Sequence, residues 1–277
     1  MHDFKITRFT YGDLIRLNAV VSYGGMRISE INLYIIDGLL IDTGPSVMEK
    51  ELQDFFLTTD IRQVVLTHIH EDHTGMAPWI EKNLKVPIYI HKNLIDEASK
   101  KAVLKEYRTQ IWGERHGFSA IEMPATITTP NHRFRVIDTP GHHAYHCALL
   151  EENLGWLFSG DLFIESRQDV AFESENVPVA IHTIENLLKE NFTTVFCYHA
   201  GMVENGKERF MEKLSFFKDL HASVTALKQQ GMSLKEIDNK LFPRKHIITA
   251  FSQGEWSSLN MVRTSAETDP ASIQSQK

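Results

Sequence analysis

Residues 67–73 read Thr-His-Ile-His-Glu-Asp-His and place three imidazoles and two carboxylates within seven positions. They directly follow an apolar run that is typical of a buried strand. His68 and His70 lie two residues apart, so they share one side of an extended chain. Asp72 and His73 are adjacent and point in different directions. Imidazole and carboxylate bind zinc, and also iron and manganese. The segment predicts either a solvated turn or a metal site.

Further candidate ligands decide between these two interpretations. Asp42, His142, Asp161 and His199 each follow a different apolar, strand-like segment. Taken singly, Asp42 is typical of a turn residue and His199 of an ordinary buried histidine. Strand ends at one edge of a layered sheet converge, however, and can gather distant side chains into one site. The set as a whole therefore favours metal binding.

These side chains must be positioned by strands that alternate with helices. The predicted strands cover residues 31–36, 39–41, 64–67, 86–91, 121–128, 133–138, 146–151, 155–159 and 194–198. The predicted helices cover residues 46–56, 74–84, 93–115 and 177–191. From about Lys207 the pattern becomes helical, with a capping box at residues 233–236 and a last helix over residues 254–265. This order predicts an α/β or α+β fold.

The composition limits the possible classes of function. The chain has 277 residues, of which 42% are hydrophobic, and a net charge of −7. This acidic balance argues against nucleic acid as a partner. No basic-then-apolar signal begins the sequence, and no apolar stretch reaches the roughly 18 residues of a membrane span. We expect a cytoplasmic protein without a membrane partner. We also expect Cys147 and Cys197 to be buried thiols rather than a disulfide.

The ordered motifs resemble those of the metallo-β-lactamase fold superfamily. They are the HxHxDH element at residues 68–73, His142 in Thr-Pro-Gly-His, Asp161 after Ser-Gly, His199, and Asp42 in Ile-Asp-Thr-Gly. The resemblance covers about residues 15–200 and implies an αββα sandwich with a two-metal site on one edge. One departure is Tyr198-His199-Ala200, where the family commonly has Gly-His-Gly. We expect the bulky tyrosine to tilt His199 and weaken the second metal site.

The resemblance also implies an allocation of ligands. One metal would be held by His68, His70 and His142, the other by Asp72, His73 and His199, and Asp161 would bridge both. Asp42 would orient a ligand histidine, and His146 would have a supporting role. Asp72 would also be catalytic, by orienting a hydroxide shared by the two metals. The implied cofactors are two divalent ions, with zinc preferred over iron and manganese.

Indications of a substrate site are weaker. Tyr23 lies in a glycine-containing loop that could be a flap. Arg108 and Trp112, together with Tyr107, Arg115 and His116, could line a lid or lie on a surface helix. His143 is expected to be exposed rather than to contact substrate. Glu71 is expected to be a solvated carboxylate.

The leading prediction of function is a binuclear hydrolase that cleaves an ester, thioester or lactone of small size. The sequence resembles the glyoxalase II and lactonase branches, but Ile164 stands where lactonases have a tyrosine. Arg167 and Lys207 are the candidates for binding a glutathione carboxylate. The alternatives are a phosphodiesterase or endoribonuclease of the same fold, a mononuclear-iron dioxygenase of the persulfide type, and a non-catalytic metal-binding protein.

We expect three segments along the chain. A catalytic domain would cover residues 1–203, a helical C-terminal region residues 204–266, and a disordered polar tail residues 267–277. The apolar stripe of the helical region is more typical of core packing, although it could cover the site or form a homodimer interface.

Overall fold

The computed structural model describes residues 2–267. The predicted disordered tail lies outside the described residues, apart from Glu267, which ends the last helix. Within the described part of the chain, no helix has both the length and the apolar character that crossing a membrane requires.

Two mixed β-sheets form the centre of the fold. The first sheet contains, in spatial order, β1 (His2–Tyr11), β2 (Leu14–Tyr23), β3 (Met26–Ile36), β4 (Leu39–Ile41), β5 (Gln63–Val65), β6 (Ile88–Ile90) and β7 (Ile121–Glu122). The second sheet contains β8 (Thr126–Thr128), β9 (Arg133–Asp138), β10 (Cys147–Glu151), β11 (Trp156–Gly160), β13 (Thr194–Cys197) and β14 (Gly201–Val203). A separate pair joins β12 (Ala171–Phe172) to β15 (Trp256–Ser257).

Helices cover the outer faces of both sheets. The helices of the described residues are α1 (Glu49–Thr58), α2 (Glu71–Thr74), α3 (Ala77–Asn83), α4 (Ile95–Ala98), α5 (Glu106–Trp112), α6 (Val177–Leu187), α7 (Gly206–Gln229), α8 (Leu234–Leu241), α9 (Ile247–Phe251) and α10 (Ser258–Glu267). Short 3₁₀ turns precede α1 and α4.

Alternation of apolar side chains along the strands explains the layers. In β4, Leu40 packs with α1 and α3 in the outer cluster, whereas Leu39 and Ile41 face the second sheet. The space between the sheets is filled by buried aromatic side chains that include Tyr34 and Phe158, with ring centroids 5.5 Å apart. A third cluster packs α6, α7 and α10 against the second sheet. The resulting αββα sandwich confirms the predicted fold class.

The predicted helix over residues 93–115 is wrong. The chain forms only α4 and α5 there, joined by an irregular segment. The Arg115 guanidinium provides the reason, because it is buried and donates to the carbonyls of Glu97, Ala98 and Lys100. The carbonyls that a longer helix would have used are thus bound by a side chain.

Other predicted boundaries shift where local chemistry intervenes. Pro78 lies in the first turn of α3, so this helix begins at residue 77 rather than at 74. The predicted strand over residues 121–128 is two strands, β7 and β8, that belong to different sheets. The last helix begins at Ser258, because Trp256 and Ser257 pair with β12. The capping box between Ser233 and Glu236 is confirmed.

Candidate metal centre

The candidate ligands meet where several strands end. Asp42 directly follows β4, residues 67–70 follow β5, Asp161 follows β11, and His199 lies just after β13. The remaining candidate, His142, lies in the loop between β9 and β10. Convergence of these strand ends at one edge of the sandwich brings together side chains that are far apart in sequence.

Three histidines form one cluster. Nε2 of His68 lies 2.9 Å from Nδ1 of His70, and Nε2 of His142 lies 3.1 Å from the same atom. One ring nitrogen from each side chain lies within 4.8 Å of those of the other two. The structure thus brings together the three side chains assigned to the first metal.

Asp72, His73, Asp161 and His199 form the second cluster, again with ligand atoms within 4.8 Å of one another. Oδ2 of Asp161 lies 3.3 Å from Nε2 of His73 and 3.4 Å from Nε2 of His199. The same oxygen lies 3.6 Å from Nε2 of His142 in the first cluster. Asp161 therefore stands between the two clusters.

The electrostatics of the two clusters differ. Burial, reinforced by neighbouring cationic groups, lowers the pKa of His68 and His70 well below the usual value. Burial also acts to lower the pKa of His73 and His199, but carboxylates, with Asp161 foremost, raise it, to about 10 for His73. Burial acts to raise the pKa of Asp161, but His199 and His73 hold it well below its usual range. Only neutral imidazoles and ionised carboxylates bind metals, so His68, His70 and Asp161 are already in the binding form, whereas His73 and His199 would release a proton when a metal binds.

Unpartnered buried atoms support a cation at this position. Within the described residues, Nε2 of His73 and Oδ1 of Asp161 are buried and make no hydrogen bond. Buried polar atoms without a partner are costly, so such atoms in a native fold need an explanation. Five imidazoles and two carboxylates are a donor set that suits a divalent cation. The residues present fit two such ions.

Asp42 supports His73 through the geometry of its loop. Its Oδ2 accepts from Nδ1 of His73 at 2.9 Å, and its Oδ1 accepts from the Thr67 amide at 2.8 Å. The backbone of Asp42 has a φ of +58°, a left-handed conformation that aspartate tolerates better than most residues. With Nδ1 bonded to Asp42, Nε2 of His73 points into the second cluster.

His146 is buried beside the site. Its Nε2 accepts from the backbone N–H of Asp161 at 3.2 Å, and its Nδ1 lies 2.8 Å from Oγ1 of Thr139. Gly160, with a φ of +48°, permits this approach, because a Cβ there would lie 2.6 Å from Nε2 of His146. His146 thus contacts the backbone of a candidate ligand, and its supporting role stays a prediction.

Tyr198 contacts two candidate ligands, His73 and Asp72, and the sequence did not indicate these contacts. The tyrosine is buried, its ring lies 3.8 Å from that of His73, and its hydroxyl donates to the Asp72 carbonyl at 2.5 Å. The neighbouring His199 is held separately, because its Nδ1 lies 2.7 Å from the Glu30 carbonyl. The effect of Tyr198 on the second metal site stays a prediction.

The expectation for Glu71 is wrong. Only 2% of this residue is exposed, and its carboxylate forms a bidentate ion pair with Arg108. Arg108 in turn lies over the ring of Phe172, 4.6 Å from its centroid, and the Phe172 ring meets that of His70 edge-on. The Arg108 side chain reaches Glu71 from α5, a long-range contact without a local sequence signal.

The other side chains considered for the substrate differ in their position relative to the two clusters. Tyr23 lies at the end of the β2–β3 hairpin, against the ring of His2. Trp112 packs on the outer core of the first sheet. His143 is half-buried, not exposed as expected, and burial, then His142, lowers its pKa to about 4. Of the further lid candidates, Tyr107 bonds Glu255. The structure therefore places His143 beside the first cluster, with its ring centroid 5.7 Å from that of His70, whereas Tyr23 and Trp112 lie elsewhere.

Sequence comparisons with known proteins address the family to which the chain belongs. The sequence model of the metallo-beta-lactamase superfamily matches residues 29–199. A lactamase-like protein, aptB, from Emericella nidulans is 32% identical over 200 residues, which are 68% of this chain and 57% of aptB. The thioesterase pkgB of the same organism is 26% identical over 175 residues, which are 59% of this chain and 45% of pkgB.

Solved structures agree at the level of the fold. A metallo-beta-lactamase family protein from Thermus thermophilus superposes with a TM-score of 0.67 at 18% identity, covering 92% of this chain and 91% of that protein. The matched region spans less than two thirds of aptB and of pkgB, so neither match extends to the whole relative. The match over residues 29–199, together with the two clusters at the strand ends, shows that the chain belongs to the metallo-beta-lactamase superfamily.

Proposed function

We propose that the protein is a binuclear metal-dependent hydrolase that cleaves an ester, thioester or lactone. The observation that carries the proposal is the position of Asp161, whose Oδ2 lies within 3.6 Å of imidazole nitrogens from both clusters. A carboxylate so placed is suited to bridge two cations. This role supports binuclear rather than mononuclear chemistry.

The candidate ligands would form two cation sites, and one of them would also orient the attacking water. His68, His70 and His142 would hold one cation, and Asp72, His73 and His199 the other. Such cations, when bound, polarise a carbonyl group and make water a nucleophile at neutral pH. Asp72 would orient the attacking water. Burial acts to raise the pKa of Asp72, but His73 and His199 outweigh it and lower the value, so the carboxylate is ionised and can accept a hydrogen bond from the water.

The surroundings narrow the choice of substrate. Lys207, one of the two candidates for a glutathione carboxylate, donates to the Glu190 carbonyl at 2.7 Å, and the exposed Arg167 lies over the ring of Phe216, 5.5 Å from its centroid. Ile164 lacks the hydroxyl that lactonases carry at the corresponding position. Both observations favour simple esters and thioesters, and the relative named a thioesterase supports the same class.

The test combines metal analysis with hydrolysis. Protein purified without added metal is expected to hold about two divalent ions per chain. Asp161→Ala should reduce this content sharply, whereas Asp138→Ala, a control with a side chain that is 75% exposed, should not. Short-chain nitrophenyl esters, acyl-coenzyme A thioesters and lactones form the substrate panel.

Two results would overturn the proposal. One is hydrolysis that continues at the full rate after chelation and dialysis. The other is about one iron per chain with oxygen uptake in the presence of a persulfide, which would support the dioxygenase alternative.

A further inference from the structure

A buried carboxylate stands behind one of the candidate ligands. Nε2 of His142 points at the two clusters, 3.1 Å from His70 and 3.6 Å from Asp161. Its other nitrogen, Nδ1, faces away from the clusters, and Oε1 of Glu175 lies 3.4 Å from it. Nδ1 is buried and has no hydrogen bond of regular geometry within the described residues. Glu175 is therefore positioned to accept a hydrogen bond from a proton on Nδ1 of His142.

Glu175 is itself held by neighbours that are buried. Its Oε1 accepts from the Phe172 amide at 2.9 Å, and its Oε2 accepts from Nε2 of Gln168 at 2.8 Å. Oε1 of Gln168 in turn accepts from Nζ of Lys213 at 3.2 Å. A chain of polar contacts thus runs from Lys213 through Gln168 and Glu175 to His142.

The burial of Lys213 is unusual and calls for a compensating contact. This lysine lies in the first half of α7, and only 3% of it is exposed. Its ammonium faces the rings of Phe163 and Phe217, at 5.9 and 5.2 Å from their centroids. Lysine is almost never fully buried unless it is paired. Here the polar contact is to Gln168, which leads to the Glu175 carboxylate and the candidate metal centre.

Residues 213 and 175 belong to different parts of the chain. Glu175 lies inside the region that the superfamily model matches, whereas Lys213 lies beyond it, in the helical region that follows. The polar chain therefore connects the C-terminal helices with the candidate metal centre. A helix that only filled space against the second sheet would not need a buried ammonium at this point.

We infer that Glu175 is the positioning residue of His142, and that Lys213 acts through Gln168 to hold Glu175 in place. A carboxylate bonded to one imidazole nitrogen fixes the proton there, so the other nitrogen is free to bind a metal. In this arrangement, the C-terminal helix α7 sets the orientation of a ligand in the first cluster. The inference rests on the proposed metal site and adds to it the function of the helical region.

The test measures metal binding rather than turnover. Metal-free protein is titrated with Zn²⁺ in competition with a chromogenic chelator, and the visible spectrum of the Co²⁺-loaded protein is recorded separately. Glu175→Gln is expected to weaken Zn²⁺ binding by about 10–100-fold. It should also change the Co²⁺ spectrum, because the orientation of a ligand changes. The melting temperature of the metal-free protein reports whether each variant is folded.

Lys213→Met is expected to weaken Zn²⁺ binding in the same direction, by a smaller factor. If Lys213 acts through Glu175, the double variant should bind Zn²⁺ no more weakly than Glu175→Gln alone, because effects within one network are not additive. Lys213→Gln, which retains a hydrogen-bond donor, replaces Lys213→Met if the latter does not fold. Glu212→Gln and Lys218→Met are matched controls on α7, since both side chains are about half exposed.

The outcomes separate the inference from the proposed function. Wild-type protein that binds none of Zn²⁺, Co²⁺, Mn²⁺ and Fe²⁺ overturns the proposed function. Wild-type protein that binds Zn²⁺ while folded Glu175→Gln binds it within twofold of the same affinity overturns only the inference about Glu175. Additive losses in the double variant overturn the role of Lys213.

Discussion

The guanidinium of Arg108 donates two hydrogen bonds to the carboxylate of Glu71, from Nε to Oε1 at 2.6 Å and from Nη2 to Oε2 at 2.5 Å. Glu71 is flanked in sequence by the candidate ligands His70 and Asp72. The pair therefore ties α5 to the segment that carries most of the motif. Nη1 of Arg108 also lies 3.7 Å from Glu255, which extends this contact to the segment before α10.

The first prediction concerns this ion pair. Arg108→Met should lower the free energy of unfolding by about 3–5 kcal/mol, because it leaves a buried carboxylate without its partner. Adding Glu71→Gln should restore a large part of the loss, since the double variant no longer buries an unpaired charge. Urea unfolding of the metal-free protein, followed by far-UV circular dichroism, measures both changes.

Arg62→Met is the matched control. Arg62 pairs with Asp37 and Asp60, but its side chain is 46% exposed. Loss of such a surface pair should cost at most about 1 kcal/mol. Equal losses for Arg108→Met and Arg62→Met would show that burial of the Glu71 pair has no energetic consequence.

Glu71 also shows what the sequence could predict and what it could not. The ligand-type side chains stand at strand ends, and the periodicity of the strands together with the resemblance placed them at one edge of the sandwich. A position between two such residues has no signal of its own, because its partner, Arg108, is 37 positions away. The sequence did not indicate a role for Glu175 or Lys213 for the same reason, because their partners His142 and Gln168 are distant in sequence.

The helices, strands and turns show the same contrast between features that local sequence determines and features that distant contacts determine. Only two residues, Asp37 and Gly38, separate the strands predicted at residues 31–36 and 39–41, and an Asp-Gly pair is typical of a tight hairpin turn, in which both residues have a positive φ; their φ angles are 48° and 84°. The region 93–115 has a composition that favours a helix, but the Arg115 side chain binds backbone carbonyls there and the helix is interrupted. The division of residues 121–128 between two sheets is likewise a tertiary effect, which alternation along one strand does not encode.

The second prediction concerns Asp42. Asp42→Asn should leave the metal-free protein folded, because asparagine also tolerates the left-handed backbone. Zn²⁺ binding should weaken by about 10–100-fold, because His73 loses a charged acceptor on Nδ1. Competition titration with a chromogenic chelator measures the change. Asp37→Asn is the control, since Asp37 also has a positive φ but lies in a hairpin turn. Equal affinities in the two variants would contradict the role given to Asp42.

An ion pair that includes a histidine outside the candidate metal centre links the two sheets. His132, in the turn between β8 and β9, places Nε2 2.6 Å from Oδ2 of Asp13, in the turn between β1 and β2. Its Nδ1 lies 3.4 Å from Oε1 of the buried Glu151. Burial acts to lower the pKa of His132, but the hydrogen bonds to Asp13 and Glu151 outweigh burial and raise it above the usual value.

The third prediction is a dependence of stability on pH. Since the pKa of His132 is higher in the folded than in the unfolded chain, its contribution is complete below about pH 6.5 and is lost as the pH rises through the folded-state value. The difference in unfolding free energy between wild type and His132→Gln should therefore be largest in mild acid, at about 1 kcal/mol, and should shrink in alkaline solution. Urea unfolding across this pH range measures it. Asp13→Asn should reduce the dependence, because it removes one of the two carboxylates that hold the proton. A difference that grows with pH would mean that the ring is held in its neutral form instead.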